Sequence, residues 1–576
     1  ITAEGENFKA AIFDAPINSS SFSNNNNNKY IPVFNQAYFT KKNLKPSDYN
    51  HFYADVTFTG KNVAGAEIIS ADNEAENGIY HEINKVIEPL PNLEQAIVSN
   101  PNYSKFKELL DTLVTYVYSS DLANKYNNLP VKSDPTAKAA YIKYYPLLFS
   151  PNNENYFGSG NESQCDGYTI VAPTNEAFDI IMQNRIALYY PNKDYHNLPI
   201  DVLTTFVNSH FFKTTMFPSS FSNGLNAYNE APSFNFNSDI IESKICSNGI
   251  FYGSNTAMQS NIFMTVYGDI YLNKALSIFY YGVTISNMIE NLKVANKKYT
   301  LFLLKDNFFT SHGYEYNSER TGDPLYYKGK GTSPSPAYKP QDSLKAIISL
   351  HVANYIDFSK KGCIETYFGD VIGYDEDFKV YGAGNLEKGY KVDFYIIPGA
   401  APINGEVYYV DSAILASTKG VGYHLEKYFS DFIFWKYISN SILYTAESQT
   451  ISELKSSVNY TILMPSNNAI KEAVIKGDLP SDAINGDPNK IANFIKLHII
   501  KNKSICNDKN KYWLENFLTT LPTSEGSAKV EVENIGDMLY FKSQKEGSEQ
   551  IPWIENRSNI LSNKAIIHAI DGYLKF

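Results

Sequence analysis

A segment that opens with Tyr-Thr and continues as a short apolar run occurs three times in this chain of 576 residues. The copies span 168–178, 299–309 and 460–470, and the first reads Tyr-Thr-Ile-Val-Ala-Pro-Thr-Asn-Glu-Ala-Phe. A short apolar run of this kind predicts a buried strand. Because the recurrence of one pattern along a chain is typical of a duplicated module, we expect several copies of one folding unit and not a single large core.

The residues after each apolar run predict a helix. Pro173 and Pro465 are expected to end the first and third strands, since proline has no N–H to donate to a neighbouring strand. Thr174 and Ser466 follow them, and both are favoured N-cap residues. The middle copy has neither the proline nor the hydroxyl residue, so Asp306 is the expected cap there.

Two further elements recur in the same order after each opening segment. The first is a helix that ends in histidine, at His210, His351 and His498. The second is a closing strand of β-branched and aromatic residues, which begins at Asn-Gly or, in the last copy, at Asn-Lys. Their spacing varies, as expected if the loops between shared elements differ in length.

The closing strand occurs four times, from residues 77, 248, 404 and 563, but the opening segment occurs only three times. The first copy is therefore expected to lack its front half, which predicts that Ile1 is not the natural start of the protein. Boundaries are expected just after each closing strand. They define the first repeat (1–89), the second repeat (90–258), the third repeat (259–417) and the fourth repeat (418–576).

These motifs resemble those of the fasciclin-like domain family. The family's first motif reads approximately Thr-Val-Phe-Ala-Pro-Thr-Asn-Glu-Ala-Phe, and residues 168–178 match it almost letter for letter. Its closing Asn-Gly-x-Ile-His-x-Ile-Asp signature is similar to 566–571 and to 77–83. Its middle Tyr-His signature is matched in the histidine but not in the tyrosine. The resemblance is strong in the second and fourth repeats, moderate in the third, and rests on the closing strand alone in the first.

The resemblance implies an α+β fold class of tandem fasciclin-like domains, each a twisted β-wedge flanked by helices. It makes the first repeat a partial domain (its C-terminal half), the third a divergent domain, and the second and fourth full domains. It also implies an extracellular or cell-surface role in adhesion and interaction, without a common catalytic centre. Since the repeats cover nearly the whole chain, no region is left for a separate catalytic domain.

Composition excludes several classes of protein. Hydrophobic residues make up 43% of the chain and charged residues 19%, a balance typical of packed cores and not of disorder. The net charge of −11 disfavours binding to nucleic-acid phosphates. No uninterrupted apolar stretch of about 18 residues occurs, so no membrane span is predicted. A lipid anchor is expected only outside this sequence.

Sequence motifs for chemistry are absent. The chain has no H-E-x-x-H motif, no G-x-S-x-G elbow and no glycine-rich phosphate loop. The helix-end histidines lie in separate repeats and cannot converge on one site. His210, His351 and His498 are therefore predicted to be structural, as are Pro173 and Pro465. No catalytic residue, cofactor or metal is predicted.

Four cysteines are too few for a disulfide scaffold, and none belongs to a C-x-x-C pair. Because the family resemblance places the opening and closing strands close together, it implies a disulfide between Cys165 and Cys246. Cys363 and Cys506 are expected to be buried free thiols, the usual state of an isolated cysteine.

The tyrosine-rich insertion at 313–340 is the predicted contact surface. Tyrosine can stack on a sugar ring or anchor a protein interface while its hydroxyl stays solvated. The alternative is that these side chains fill half-exposed faces of a sheet. The candidates for contact with a protein partner or a glycan are Tyr314, Tyr316, Tyr326, Tyr327 and Tyr338.

The sequence therefore favours a non-enzymatic exported cell-surface protein that acts through protein–protein contact, in adhesion or as an accessory subunit of an outer-membrane assembly. The high usage of Asn, Lys and Tyr indicates a bacterial source. The alternative is a glycan-binding accessory lipoprotein of an outer-membrane uptake system, and an enzyme is the third class considered. Nucleic acid is not an expected partner.

Overall fold

The chain divides into two units, Ile1–Asn261 and Ile262–Phe576. The computed structural model describes residues 31–128, 136, 139–153, 167–328, 339–396, 401–507, 512–524 and 526–575. The first unit holds the first and second repeats, and the second unit holds the third and fourth.

The described part of the first repeat is an antiparallel sheet with two short helices. Its elements are β1 (Val33–Asn35), α1 (Gln36–Lys42), α2 (Pro46–Phe52), β2 (Lys61–Val63), β3 (Ala66–Ala75) and β4 (Gly78–Ile83). The strand order is β1-β2-β3-β4, so β4 is an edge strand that pairs with β3. Phe34 and Tyr49 share one hydrophobic core with Tyr252 of the second repeat. The assignment of 1–89 as a partial fasciclin-like domain stays a prediction.

The second repeat builds a four-stranded sheet with order β8-β7-β10-β9, and a separate two-stranded ribbon of β5 and β6. Its elements are α3 (Leu93–Val98), a 3-10 helix (Pro101–Tyr103), α4 (Ser104–Thr112), β5 (Thr115–Tyr118), α5 (Ser120–Asn127), β6 (Tyr141–Tyr144), β7 (Tyr168–Pro173), α6 (Asn175–Ile181), a π-helix (Met182–Ile186), 3-10 helices (Pro191–Lys193 and Tyr195–Asn197), α7 (Ile200–Ser209), β8 (Phe211–Phe212), a 3-10 helix (Pro218–Asn223), α8 (Phe236–Asp239), β9 (Ile240–Cys246) and β10 (Gly249–Ser254).

The third repeat has a seven-stranded sheet with order β14-β11-β19-β18-β17-β16-β15, and a small hairpin of β12 and β13. Its elements are α9 (Asn261–Met264), α10 (Val266–Tyr271), a 3-10 helix (Lys274–Leu276), α11 (Ser277–Ile285), α12 (Ile289–Leu292), β11 (Tyr299–Leu303), α13 (Asp306–Ser311), β12 (Tyr314–Tyr316), β13 (Leu325–Tyr327), α14 (Pro340–His351), β14 (Val352–Asn354), β15 (Gly362–Glu365), β16 (Val371–Asp375), β17 (Lys379–Tyr381), α15 (Ala383–Glu387), β18 (Val392–Ile396) and β19 (Gly405–Val410).

The fourth repeat has an eight-stranded sheet with order β27-β26-β25-β24-β23-β22-β29-β28, and a short hairpin of β20 and β21. Its elements are α16 (Val421–Phe429), α17 (Ile433–Ser439), β20 (Tyr444–Thr445), β21 (Thr450–Ile451), β22 (Tyr460–Pro465), α18 (Asn467–Ile475), α19 (Pro488–Leu497), β23 (Ile499–Lys501), β24 (Trp513–Thr520), β25 (Lys529–Ile535), β26 (Met538–Ser543), β27 (Ile551–Pro552), a 3-10 helix (Glu555–Arg557), β28 (Ile560–Ser562) and β29 (Ala565–Ile570).

One parallel strand pair recurs in the sheets of the second, third and fourth repeats. The opening strands β7, β11 and β22 pair in parallel with the closing strands β10, β19 and β29. The registers agree, because Tyr168, Tyr299 and Tyr460 each pair with the first residue of the closing strand. Each opening strand also has an antiparallel neighbour on its other side, which explains its continuous apolar run. The expected mixed α+β fold is confirmed.

The predicted caps are correct in two of the three copies. Thr174 and Ser466 accept hydrogen bonds from Ala177 N and Ala469 N, at 3.3 and 3.2 Å. The expectation for Asp306 is wrong. It is the first residue of α13, whose N-cap is Lys305.

The Asp306 carboxylate instead caps the neighbouring helix α11. It accepts from the backbone N–H groups of Ser277 and Ile278, at 3.1 and 2.9 Å. Asn175 and Asn467 hold the same position after their opening strands, and each accepts from a backbone N–H at the start of α4 or α17. The first helical residue after each opening strand therefore fixes the start of a second helix.

The asparagine of the Asn-Gly pair is a buried hydrogen-bonding centre. The Asn404 side chain accepts from Val266 N at 2.8 Å and donates to the carbonyls of Leu292 and Val294. Asn248 makes the corresponding contacts in the second repeat. In the fourth repeat the register places Lys564 at this position, one residue after the asparagine that the sequence pattern aligned.

The glycine that follows Asn404 is required by a close approach of two strands. Gly405 has a φ of 149°, and a Cβ atom there would lie 2.0 Å from the carbonyl oxygen of Tyr299. Gly249 has the same relation to Tyr168 O, at 2.1 Å. A side chain at either glycine would therefore separate the parallel pair.

We expect Gly405→Ala to destabilise the third repeat by at least about 2 kcal/mol, since its Cβ would overlap a backbone oxygen that has no room to move. Scanning calorimetry of the full chain measures the effect. Gly78→Ala is the control, because a Cβ there would meet no atom within 4 Å. Equal thermal stability of Gly405→Ala and the parent protein would contradict the close approach.

Candidate interaction surfaces

The three helix-end histidines make the same pair of backbone contacts. The Nδ1 atoms of His210, His351 and His498 donate to the carbonyl four residues earlier, at 2.9, 2.7 and 2.8 Å. Their Nε2 atoms accept from the backbone N–H of Met258, Ile414 and Leu574, at 2.9, 3.2 and 2.9 Å. Each imidazole thus joins the end of a helix to the chain just beyond the closing strand, and both its nitrogens are used by the backbone.

Burial keeps these imidazoles neutral. All three are fully buried, and desolvation lowers the pKa of each to about 4. His568 on β29 is also buried, with a pKa lowered to about 4 by desolvation. His81 on β4 is exposed and accepts from Asp72 N at 3.0 Å. Pro173 and Pro465 are the last residues of β7 and β22.

The hairpin of β3 and β4 exposes apolar side chains in the first unit. Every residue of β4 is exposed, including Ile79 (64%) and Tyr80 (52%). The outer edge of β4 pairs with no other strand in the described part of the chain. An unpaired edge with exposed apolar side chains is a template for strand addition by another chain.

The ribbon of β5 and β6 also exposes apolar side chains. The ribbon forms its own two-stranded sheet. A ribbon this narrow cannot cover its own side chains, so it leaves an apolar surface open to solvent. Its exposed large side chains are Val117, Tyr118, Tyr141, Ile142 and Tyr144.

The predicted contact tyrosines fall mostly on the β12–β13 hairpin. Tyr314 is 7% exposed and packs edge-on against Tyr327, with ring centroids 5.4 Å apart. The hydroxyl of Tyr326 donates to Glu315, and Tyr316 packs against Tyr281. Tyr338 lies outside the described residues. The role of these tyrosines in contact stays a prediction.

A groove of about 790 Å³ lies beside this hairpin in the third repeat. Tyr314 forms part of its wall, and Tyr390 and Tyr395 present partly exposed rings to it. Lys305 and Asp411 add charges of both signs. An open groove with aromatic rings and hydrogen-bonding side chains suits a sugar or a short polar segment.

A second cavity, of about 500 Å³, lies between the third and fourth repeats. On its wall, His424 Nε2 lies 3.1 Å from Glu387 Oε1, and His424 Nδ1 lies 3.0 Å from Ser562 Oγ. Burial lowers the pKa of His424, and the neighbouring Glu387 carboxylate partly opposes this. No sequence motif indicated this Ser-His-Glu arrangement. The contact between Glu387 and His424 joins α15 of the third repeat to α16 of the fourth repeat. We interpret the arrangement as structural.

The disulfide between Cys165 and Cys246 stays a prediction, because Cys165 lies outside the described residues. Cys246 is buried at the end of β9. Among the described residues, no cluster of three His, Cys, Asp or Glu side chains suits a metal ion. No helix in the described part of the chain has the length and hydropathy needed to cross a bilayer.

Comparison with known proteins finds a family match in the fourth repeat. Residues 437–575 match the family model of the fasciclin domain, which confirms the predicted resemblance to the fasciclin-like family. No curated protein matches the chain. A solved structure of a FAS1 domain pair from the insect cell adhesion molecule fasciclin I is similar at 14% identity, covers 52% of this chain and 97% of that chain, and has a TM-score of 0.24.

The family match indicates a general class of function. Fasciclin domains are associated with cell adhesion or protein interaction and are typically extracellular or at the cell surface. The family is typically non-enzymatic.

The buried histidines predict acid sensitivity. The pKa of His498 is about 4 in the folded state, against 6.5 for an unperturbed histidine, so the unfolded state binds the proton first as pH falls. Stability from this residue is full above pH 6.5 and is lost as pH falls towards 4. We expect His498→Gln to be less stable than the parent protein at pH 7, because Leu574 N–H and Phe494 C=O lose their partner. Between pH 7 and pH 5, however, the free energy of unfolding should fall by about 2 kcal/mol less in the variant than in the parent protein.

Urea unfolding followed by tryptophan fluorescence measures this difference, because all three tryptophans lie in the fourth repeat. The matched control is Ile495→Val in the same core, which lowers stability by about 1 kcal/mol at every pH. An unchanged pH dependence in His498→Gln would show that this imidazole is not held neutral by burial.

Proposed function

We propose that this is a non-enzymatic cell-surface protein that acts by binding another protein through the β3–β4 hairpin. The observation that carries the proposal is the edge strand β4, which is exposed along its whole length and unpaired on its outer side in the described part of the chain. The buried histidines are used by the backbone, so the repeated positions offer no group for catalysis.

Strand addition is the contact that fits this edge. A partner strand would satisfy the outward N–H and C=O groups of β4 and cover its apolar side chains. Covering one exposed Ile or Tyr side chain is worth on the order of 1.5–3 kcal/mol. Soluble proteins usually protect an edge with lysine, proline or a covering element, and β4 has neither a lysine nor a proline.

The location and setting are part of the same proposal. Fasciclin domains are typically extracellular or surface domains, which supports export. Residue usage rich in Asn, Lys and Tyr supports a bacterial source. We propose an accessory subunit of an outer-membrane assembly or an adhesin, held at the membrane surface by a lipid anchor.

Photo-crosslinking from the hairpin tests the protein contact. A photoreactive amino acid at Tyr80, in cells of the source organism, is expected to give one discrete crosslinked species. Ile79→Lys should abolish that species, because a charge on the exposed edge cannot be buried against a partner strand. The same photoreactive residue at Tyr512, an exposed tyrosine of the fourth repeat, is the control. Equal crosslinking from both positions, or no effect of Ile79→Lys, would refute the proposed edge.

Glycan binding in the groove of the third repeat is a second candidate, favoured by the partly exposed rings of Tyr390 and Tyr395 that line the groove. We expect Tyr395→Ala to lower binding to the recognised glycan at least about tenfold, since it removes one stacking face. Tyr355→Ala is the matched control, because Tyr355 and Tyr395 are both 43% exposed and only Tyr395 lines the groove. A glycan array with the purified chain measures both. Absence of any specific glycan would eliminate this candidate.

A further inference from the structure

We propose that Cys363 and Cys506 form a disulfide bond that joins the third repeat to the fourth. The two residues are 506 − 363 = 143 positions apart in the chain and belong to different repeats of the second unit. Their side chains nevertheless pack in one hydrophobic cluster with Leu561 and Ile566, and the Cys363 thiol is near enough to raise the pKa of the Cys506 thiol. The structure records both as free thiols, as the sequence predicted, with Cys363 buried and Cys506 partly buried. No signal in the sequence indicated that the two lie in one cluster.

Contacts on both sides of the pair fix this placement. The 503–507 segment of the fourth repeat contacts both ends of β15. Lys503 Nζ lies 3.0 Å from Glu365 Oε2, and a Cβ at Gly362 would lie 3.5 Å from the carbonyl oxygen of Asn507. The salt bridge at one end and the backbone packing at the other therefore hold the segment that carries Cys506 beside the strand that carries Cys363.

Two cysteines that pack in one cluster can form a disulfide when their Cα atoms lie within about 7 Å of each other. The bond needs an oxidising compartment, and this condition alone rests on the proposed surface location. The juxtaposition of the two side chains does not depend on that location.

The oxidation can be written with a small-molecule disulfide as oxidant. One cysteine thiolate attacks a sulfur of the oxidant and releases one thiolate, which leaves a mixed disulfide on the protein. The second cysteine thiolate attacks the protein sulfur of that mixed disulfide and releases the other half of the oxidant. Two protein thiols are oxidised, one small disulfide is reduced to two thiols, and the two protons pass to the released thiolates.

Burial controls the rate of this exchange. Desolvation raises the pKa of the Cys506 thiol well above its ordinary value, so little thiolate is present while the interface is closed. We expect slow oxidation of the folded protein and fast oxidation during refolding. For the same reason, the bond should resist reductants once the interface has closed.

The test uses the purified full chain with Cys165→Ser and Cys246→Ser, refolded with oxidised glutathione. We expect no alkylatable thiol, one crosslinked peptide that joins residues 363 and 506, and a thermal midpoint that rises by about 5 °C over the reduced protein. Adding Cys363→Ser should abolish the crosslinked peptide and the rise in midpoint. Peptide mapping of the oxidised parent chain, which carries no substitution, is the second measurement.

Two alkylatable thiols after oxidative refolding would overturn the proposal. So would a crosslink from Cys506 to any cysteine other than Cys363, or a thermal midpoint that falls on oxidation. These measurements involve neither a partner nor a cell, so a failure of the proposed surface function leaves their outcome unchanged.

Discussion

The parallel pairing of an opening strand with a closing strand is the constraint on which the rest of each repeat depends. The two strands are far apart in sequence, and the pair is flanked by a further strand on each side. The opening strand is also buried along nearly its whole length, so it tolerates few polar atoms. The threonine of the Tyr-Thr motif is the exception. Thr461 donates to Lys503 O at 2.9 Å and accepts from Ile505 N at 2.8 Å, which fixes the segment after β23.

Buried polar side chains then attach the surrounding chain to this pair. Histidine suits the helix end because a neutral imidazole donates from one nitrogen and accepts at the other, and both functions are needed there. Desolvation lowers its pKa to about 4 and so keeps the neutral form at ordinary pH. Asn404 acts in the same way at the other end of the sheet, where its amide bonds three backbone groups. Leaving such backbone groups unpaired in a core would cost more than the bonds themselves contribute.

The sequence predicted those features that local patterns encode. The buried strands, the caps at Thr174 and Ser466, and the position of the histidines follow from residue type and spacing of a few residues. The true partner of Asp306 was not predictable, because it lies on a helix that begins 29 residues earlier and no local signal links the two. The contact between Cys363 and Cys506 and that between His424 and Glu387 depend on how two repeats pack. Such packing leaves no periodicity in one sequence.

Residues that the repeats share and segments that occur in one repeat therefore have different roles: the former stabilise the fold and the latter can bind a partner. The helix-end histidines, the threonines of the Tyr-Thr motif, and Asn248 and Asn404 are buried and bonded to the backbone, so they cannot also bind a substrate or a partner without unfolding their repeats. Functional differences must come from segments that the repeats do not share or that one repeat alone leaves exposed, since these present polar or apolar groups to solvent. The β5–β6 ribbon and the groove beside the β12–β13 hairpin are such segments. The closing strand β4 of the first repeat is a shared element, but it is exposed where its counterparts β10, β19 and β29 are largely buried. A change in any of them can alter recognition while the strand pair and its attachments stay intact.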